Sequence, residues 1–319
     1  MQQEIFVEEV STRQNPHVDP GLHFWGWEVP VYLFFGGLVA GLLVLYAAAE
    51  LTGNRRKLPF SSRWGPFLAL PLLGLGLFAL FLDLEYKSHV LRFYGTLKLR
   101  SPMSWGSWIL ILVAVAALAP AWQSLCTEGR RRGWAWLRRP AWRNLQRFLN
   151  HRRKSMAWLN LSLGVALGIY TGILLSSLAA RPVWSSTILG PLFLISGLST
   201  GLALCAWLTR SKLERHFLVR LDLILIAVEL LFLSLWLFGL SSGGEAARQA
   251  AQLFLGGPYT AVFWTLVVGA GLLVPALLET MAILRRWPET RVGLALILVG
   301  GLMLRFVLVD AGQAMGIGG

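Results

Sequence analysis

The run PVYLFFGGLVAGLLVLYAAAE, residues 30–50, decides the fold class, because it contains no charged residue before Glu50. A helix of about 20 apolar residues is long enough to cross the hydrocarbon of a bilayer. The run shows no alternation of polar and apolar residues, and lipid cannot satisfy the backbone groups of an open strand. We therefore predict that residues 30–50 form a membrane-crossing helix.

Further apolar runs of similar length follow along the whole chain. They cover residues 64–84, 104–125, 157–179, 187–209, 219–240, 259–279 and 291–309. The 319 residues are 55% hydrophobic and only 14% charged, whereas about a quarter of the residues in a soluble domain are charged. The sequence predicts an all-α integral membrane protein with eight transmembrane helices.

A short internal repeat links the first and fifth runs. Gly37-Leu-Val-Ala-Gly41-Leu is similar to Gly197-Leu-Ser-Thr-Gly201-Leu. The repeat allows two parallel four-helix bundles related by duplication. The alternative is that small residues four positions apart are simply common where helices pack. In either interpretation, the glycine pairs are expected at close helix contacts.

The net charge of +13 does not indicate nucleic-acid binding, because most of the 29 lysines and arginines follow the first, third, fifth and seventh runs. The positive-inside rule places these connections in the cytoplasm. We expect a multi-pass protein of the bacterial inner membrane with both termini in the periplasm. Residues 1–29 and 310–319 would be periplasmic tails, and residues 30–309 the transmembrane domain. The first residues lack the pattern of a cleaved signal peptide.

The long connection at residues 126–156 is the most basic part of the protein. Its arginines alternate with Trp134, Trp136, Trp142 and Phe148. This pattern is typical of an amphipathic segment on anionic lipid; an RNA-binding arm is the weaker alternative.

The sequence argues against a metal cofactor on this protein. Cys126 and Cys205 form no CxxC pair, so we expect no iron–sulfur cluster. Membrane haem needs axial histidines inside the bundle. None of the five histidines lies in the middle of a run, and we expect no haem.

Ionisable residues inside the runs are costly in hydrocarbon and are functional candidates. Asp222 and Glu229 lie in the sixth run, and Arg305 lies in the eighth. Arg305 is deep enough to need a partner, for which Asp83 and Asp310 are the candidates.

Four stretches resemble the polysulfide reductase membrane-subunit family, also called NrfD-like. They are WGWEVPVYLFFGGL (25–38), SPMSWGSW (101–108), GIYTGILL (168–175) and LRFVLVDAGQ (304–313). The resemblance covers essentially the whole sequence. It implies a membrane anchor and quinone-reactive subunit of a respiratory complex, with menaquinone or another quinone bound near the outer face. The implied partners are a periplasmic ferredoxin-like iron–sulfur subunit and a molybdopterin catalytic subunit or a multihaem cytochrome.

The resemblance also implies roles for individual residues. Tyr170 is the expected donor to one quinone carbonyl, and Tyr32 stands where some relatives have a histidine for the other. Because of that difference, Glu28 and His23 remain alternatives for the second contact. Asp83 matches an acidic position near the pocket. The implied proton path to the cytoplasm uses Asp222, Glu229, Arg305 and Asp83.

The polar stretch at residues 83–108 separates the second and third runs and is expected on the periplasmic side. Residues 101–108 are expected to shape one wall of the pocket. The residues expected to meet the partner protein are Glu85, His89, Arg92, Lys98 and Arg100.

Three functions fit these observations. In the first, the protein holds the quinone site of an oxidoreductase complex but does not bind the terminal substrate. The second is a secondary anion transporter, for which an intramembrane arginine would be suitable. The third is an anchor without its own redox site.

Overall fold

The computed structural model describes residues 25–84, 102–134, 140–177, 181–285 and 291–314, and these residues form helices and no strand. Two helices are short: α4 (Pro140–His151) and α8 (Glu245–Gln252). The long ones are α1 (Glu28–Leu51), α2 (Pro59–Asp83), α3 (Pro102–Arg131), α5 (Arg153–Ser176), α6 (Leu189–Leu208), α7 (Lys212–Ser242), α9 (from Thr260 to Arg285) and α10 (Arg291–Ala314).

Across the described ranges, eight helices are long and apolar enough to cross a membrane. They coincide with the eight predicted runs, and the prediction of an all-α multi-pass membrane protein is confirmed. Helix α7 begins at Lys212 and α10 continues to Ala314, so both are longer than predicted. Helix α9 contains a π-helical segment, Phe263–Leu273, that the sequence did not indicate.

The eight helices form two four-helix bundles. In the first, α1 and α3 each pack against both α2 and α5. In the second, α6 and α9 each pack against both α7 and α10. The bundles meet where α1 packs on α6, with α5 on α6 and α10 on α1 at either side. The same pattern of neighbours in both halves supports the duplication suggested by the glycine repeat.

The two copies of that repeat contact each other directly at the crossing of α1 and α6. A Cβ atom on Gly197 would lie 2.9 Å from the Cα of Gly37, and one on Gly201 would lie 2.9 Å from the Cα of Gly41. A side chain at either position would push the two backbones apart, because small residues are what allow helices to approach this closely in lipid. The predicted role of these glycines is confirmed.

The outer surface of the bundles carries many large apolar side chains. Leu75 and Phe78 on α2, and Ile224 and Phe238 on α7, are all more than half exposed. Lipid tails solvate such side chains, so apolar residues are suited to both faces of a membrane helix.

We call the end of the molecule where α1, α3, α6 and α9 terminate the basic end. Two acids there each contact two arginines. Glu50 lies 3.4 Å from Arg55 and 3.1 Å from Arg153. Glu128 pairs with Arg63 at 2.8 Å and with Arg132 at 3.0 Å. These pairs connect α1 to α5 and α2 to α3.

A third acid at the basic end caps a helix. The buried Glu214 accepts hydrogen bonds from the backbone N–H groups of Phe60, at 3.0 Å, and Ser61, at 2.8 Å. It also accepts from the Ser61 hydroxyl at 2.8 Å and the Thr209 hydroxyl at 2.8 Å. A carboxylate at this position satisfies the otherwise unpaired donors at the start of α2.

Part of the basic connection at residues 126–156 forms helix α4. Its Gln146 and Leu149 are buried, and the ring of Trp142 packs at a tilt against that of Trp122 of α3, with centres 4.8 Å apart. Leu145 and Phe148 are exposed. Arg143 and Arg147 are exposed on a different face from Trp142, Leu145 and Leu149, so α4 is amphipathic, as the sequence predicts for this connection.

Candidate functional site

A cavity of about 530 Å³ opens in the first bundle, at the end opposite the basic end. We call this end the cavity end. All four helices of the bundle contribute to the lining: α1 through Tyr32, α2 through Asp83, α3 through Ser107 and α5 through Tyr170. The remaining walls are apolar apart from the indole of Trp25. They are formed by Val29, Leu77, Leu80, Phe81, Leu84, Met103, Leu110 and Leu174.

Tyr170 is the most notable polar group in this lining. It is only 5% exposed, and it makes no hydrogen bond to any residue in the described ranges. A buried hydroxyl without a partner is unfavourable, so this group is available to a ligand in the cavity.

Gly106 of α3 creates the space for the Tyr170 hydroxyl. A Cβ atom built on Gly106 would overlap the hydroxyl oxygen and the ring carbon that bears it. Residues 101–108 are predicted to form a wall of the pocket, and Met103 and Ser107 do line the cavity. The role of Gly106 in positioning Tyr170 is not among the predictions; the glycine within SWGSW was the available signal.

Three of the five predicted quinone-binding residues line the cavity together. Tyr170 and Tyr32 are buried, whereas Asp83 is partly exposed at the end of α2. Glu28 lies outside the lining, but it is close enough to Asp83 for the two charges to interact. His23 lies outside the described residues. The predicted docking residues Glu85, His89, Arg92, Lys98 and Arg100 also lie outside them.

The second bundle contains a buried polar cluster. Its ionisable members are Asp222 and Glu229 of α7 and Arg305 of α10, and they lie beside Ser196 and Ser199 of α6. Asp222 is 1% exposed, Glu229 3% and Arg305 0%. The two acids are seven residues apart, so they lie on one face of α7 and are separated by about 10 Å along its axis. Such groups inside a membrane protein are strong candidates for function.

Arg305 is held on several sides. It donates hydrogen bonds to the Ser196 hydroxyl, to the Gly301 carbonyl at 2.9 Å and to the Phe193 carbonyl at 3.2 Å. Its guanidinium lies 4.8 Å from the centre of the Phe193 ring. These contacts fix the cation at the interface of α6 and α10.

The acid beside Arg305 is Glu229. Its carboxyl lies by the Ser196 hydroxyl, and its charge interacts with that of Arg305. The sequence predicts Asp83 or Asp310 as the partner of Arg305; the prediction is wrong for Asp83, which lines the cavity of the other bundle. The reason is tertiary: α7 and α10 both pack on α6, and their charged residues meet at Ser196.

Asp222 is less well satisfied than Glu229. The Ser199 hydroxyl lies close to it, but neither carboxyl oxygen makes a well-formed hydrogen bond. A buried carboxyl without hydrogen-bond partners is unfavourable, so Asp222 is a candidate for function rather than a structural ion pair.

Within the described ranges, no three histidine, cysteine, aspartate or glutamate side chains meet as a metal site. The two cysteines, Cys126 of α3 and Cys205 of α6, are buried and unpaired with each other.

Comparison with known proteins assigns the sequence to a family. Residues 14–317 match the family of polysulphide reductase NrfD proteins. The chain belongs to the NrfD family. The resemblance seen in the four sequence motifs is thereby confirmed.

Several members of the NrfD family are similar to this protein over most of their length. The protein NrfD of Escherichia coli (strain K12) is 32% identical, over 91% of this sequence and 95% of its own. A component of the polysulfide reductase of Wolinella succinogenes is 27% identical, over 91% and 94% respectively. A component of the selenate reductase of Mesobacillus selenatarsenatis is 26% identical, over 89% of this sequence and 73% of its own.

Proposed function

We propose that this NrfD-family protein is the membrane anchor and quinone-reactive subunit of a respiratory complex. It would exchange electrons between the membrane quinone pool and an iron–sulfur partner docked at the cavity end. The observation that carries the proposal is the apolar cavity in the first bundle, in whose wall the Tyr170 hydroxyl lies without a hydrogen bond to any described residue.

The residues of the cavity suit a quinone such as menaquinone. Ligand pockets typically have volumes of about 300–1,000 Å³ and are mostly apolar, with a few polar groups that fix orientation; this cavity, at about 530 Å³, has that character. Tyr170 can donate a hydrogen bond to one ring carbonyl, and Tyr32 lines the same space. The apolar walls can accept an isoprenoid tail.

A quinone takes up two electrons and two protons when it is reduced to the quinol, and the quinol releases them when it is oxidised. The protein must therefore supply a route for protons as well as a binding site. Asp83 is the acid in the cavity lining, and its side chain is partly exposed. It can hold or release a proton at the edge of the site, and Glu28 beside it can take part.

The relatives support a complex with other subunits. By their names they belong to a polysulfide reductase, a selenate reductase and, for a match over part of the sequence, the membrane portion of a putative dimethyl sulfoxide reductase. Similarity to components of such reductases supports the proposal that the partners of this protein are an iron–sulfur subunit and a molybdopterin catalytic subunit. A multihaem cytochrome is the alternative partner.

The charge distribution supports an orientation in the inner membrane. The connections at the basic end hold most of the lysines and arginines. By the positive-inside rule this end would face the cytoplasm. The cavity end and the segment with Glu85, His89, Arg92, Lys98 and Arg100 would then face a periplasmic partner, and both termini would lie outside.

We further propose that Asp222, Glu229 and Arg305 belong to a proton path in the second bundle, with Asp83 at the cavity. The supporting observation is that two acids and an arginine are buried together at successive depths along α7 and α10. The arginine would stabilise a charged Glu229, and Asp222 lies nearer the basic end of α7.

An anion transporter has less support. In a transporter, Arg305 would be the residue that binds the anion. Its guanidinium, however, is fully buried and already hydrogen-bonded to Ser196, Gly301 and Phe193. An anion would have to displace these contacts and compete with the charge of Glu229.

The substitution Tyr170→Phe tests the quinone site. In the purified complex we expect a loss of quinone-linked turnover of tenfold or more, because the only change is the loss of the hydroxyl; removing one hydrogen bond donor of this kind costs about 100-fold in favourable cases. Turnover of the catalytic partner with an artificial dye should be unchanged. Tyr259→Phe, a tyrosine outside the cavity lining, is the matched control. Unchanged quinone turnover in Tyr170→Phe would overturn the assignment.

The proton path is tested separately in proteoliposomes. Glu229→Gln and Asp222→Asn should retain electron transfer but lose charge movement across the membrane, because each keeps the side-chain shape and removes the titratable group. Retained charge translocation in both variants would remove the proposed path without affecting the quinone assignment.

A further inference from the structure

The end of α10 holds the segment that leads into α1. The amide oxygen of the Gln313 side chain accepts a hydrogen bond from the backbone N–H of Trp25 at 2.9 Å. The amide nitrogen of the same side chain donates one to the backbone carbonyl of Trp25 at 3.0 Å. One buried side chain thus satisfies both main-chain polar groups of a residue 288 positions away.

Trp25 is part of the cavity wall in the first bundle. Its indole also packs against that of Trp184, with ring centres 5.4 Å apart. We call Trp25, Trp184 and Gln313 the Trp25 clasp. Because the main chain of Trp25 is fixed by Gln313 and its ring by Trp184, the clasp determines where this wall stands.

The clasp is itself firmly attached to α10. The indole of Trp184 donates to the Leu308 carbonyl at 2.7 Å, and Arg181 donates to the Gly312 carbonyl at 2.8 Å. The Gly312 carbonyl is one of those that the end of a helix leaves without a partner. A Cβ atom on Gly312 would overlap the Trp184 ring, so this glycine is needed for the close fit.

Helix α10 also contains Arg305, eight residues before Gln313, which corresponds to about 12 Å along the helix. Through the clasp, a wall of the cavity in the first bundle is bonded to the helix that holds the cation of the second. No other hydrogen bond among the described residues joins Trp25 to α10.

We propose that Gln313 is a positioning residue of the quinone site, which holds Trp25 against the cavity and joins that wall to α10. This inference rests on the proposed quinone function. Gln313 does not line the cavity and exchanges no proton with a ligand. Its loss should therefore weaken binding of the quinone while leaving the chemistry at Tyr170 intact.

The test uses the purified complex of this protein with its native partner subunits, with menadiol and menadione as the quinone couple, in whichever direction the complex runs. Gln313→Leu removes both bonds at similar volume. Gln313→Glu keeps the acceptor for the Trp25 N–H but removes the donor. We expect the KM for the quinone to rise about tenfold in Gln313→Leu, and by less in Gln313→Glu, with kcat within about twofold of the parent.

Hydrogen exchange measured on the same samples reports on the clasp independently of quinone. The amide of Trp25 should exchange faster in Gln313→Leu, because its acceptor is lost, and less so in Gln313→Glu, which keeps an acceptor. The amides of α10 around Arg305 should keep their protection in both variants. Val299→Ala, a change of a half-exposed residue on the same helix, is the control and should alter neither KM nor exchange at Trp25.

The outcomes separate the inference from the function beneath it. Faster exchange at Trp25 with an unchanged KM would overturn the positioning role of Gln313. The quinone assignment would still stand if Tyr170→Phe lowers quinone turnover. A fall in kcat in both Gln313 variants, together with faster amide exchange throughout α10, would show that Gln313 is merely a structural residue. The proposed positioning role would then also be wrong. If Tyr170→Phe leaves quinone turnover unchanged, the proposed function itself fails.

Discussion

Replacing Gly106 with alanine should disable the proposed quinone site without replacing any residue that is proposed to bind the ligand. The added methyl group would occupy the place of the Tyr170 hydroxyl, and its nearest neighbours would be that oxygen and the adjoining ring carbons. The tyrosine ring is stiff, so it must swing away from α3, or α3 must move outward. Either response shifts the hydroxyl by about 1 Å or more to restore normal contact distances.

The magnitude follows from the sensitivity of catalysis to position. A misplacement of about 1 Å in a positioned group can cost about 100-fold in rate. We therefore expect quinone-linked turnover of the complex to fall about 100-fold in Gly106→Ala, while dye-linked turnover of the catalytic partner stays at the parental level. The overpacking should also cost about 1–3 kcal/mol of stability, which thermal unfolding in detergent would record.

Two further variants make the experiment decisive. Gly74→Ala on the neighbouring helix α2 is the matched control, because a Cβ atom there would meet nothing within 4 Å. The double variant Gly106→Ala with Tyr170→Phe should lose less turnover than the product of the two single losses, since both changes act on the same side chain. Parental quinone turnover in Gly106→Ala, or fully additive losses in the double variant, would refute the reasoning.

Three other changes test the fold around the sites. Glu214→Ala should lower the free energy of unfolding by about 2–3 kcal/mol, because it leaves buried donors at the start of α2 unpaired; thermal unfolding measures this, and an unchanged unfolding temperature would contradict the capping role. Gly197→Ala should cost about 1–3 kcal/mol, since the new methyl group would press on the backbone of Gly37; Gly239→Ala, with open space around it, should be neutral. Arg305→Leu should lower the stability of the protein, because the buried Glu229 then loses the favourable influence of the cation; the double change with Glu229→Leu should recover most of this loss, and no recovery would argue against an interaction between the two.

The identity of the transmembrane helices was predictable because hydrocarbon imposes a single requirement along the whole sequence. Each crossing segment must be about 20 residues long, apolar and helical, and residues 30–50 meet this requirement without reference to any neighbour. The glycine pairs of α1 and α6 were also predictable as contact points, since small residues are what helices in lipid use to approach each other.

The assignment of residues to sites was only partly predictable. Tyr170, Tyr32 and Asp83 were identified as one site from a family resemblance, and all three do line one cavity. Gly106 was missed, because a glycine in a helix has the same appearance in sequence whether it faces lipid or the ring of a tyrosine.

The sequence by itself therefore determined which segments cross the membrane, because that depends on local composition alone. Only the tertiary structure decided which polar residues meet. The sequence offered Asp83 and Asp310 to Arg305, whereas the packing of α7 and α10 on α6 brings Glu229 to it. It likewise brings Gln313 to Trp25 across 288 positions. In a protein whose helices are apolar on every side, hydrophobic periodicity does not specify which faces pack together, so these contacts arise from steric fit and from the few polar groups that must be satisfied.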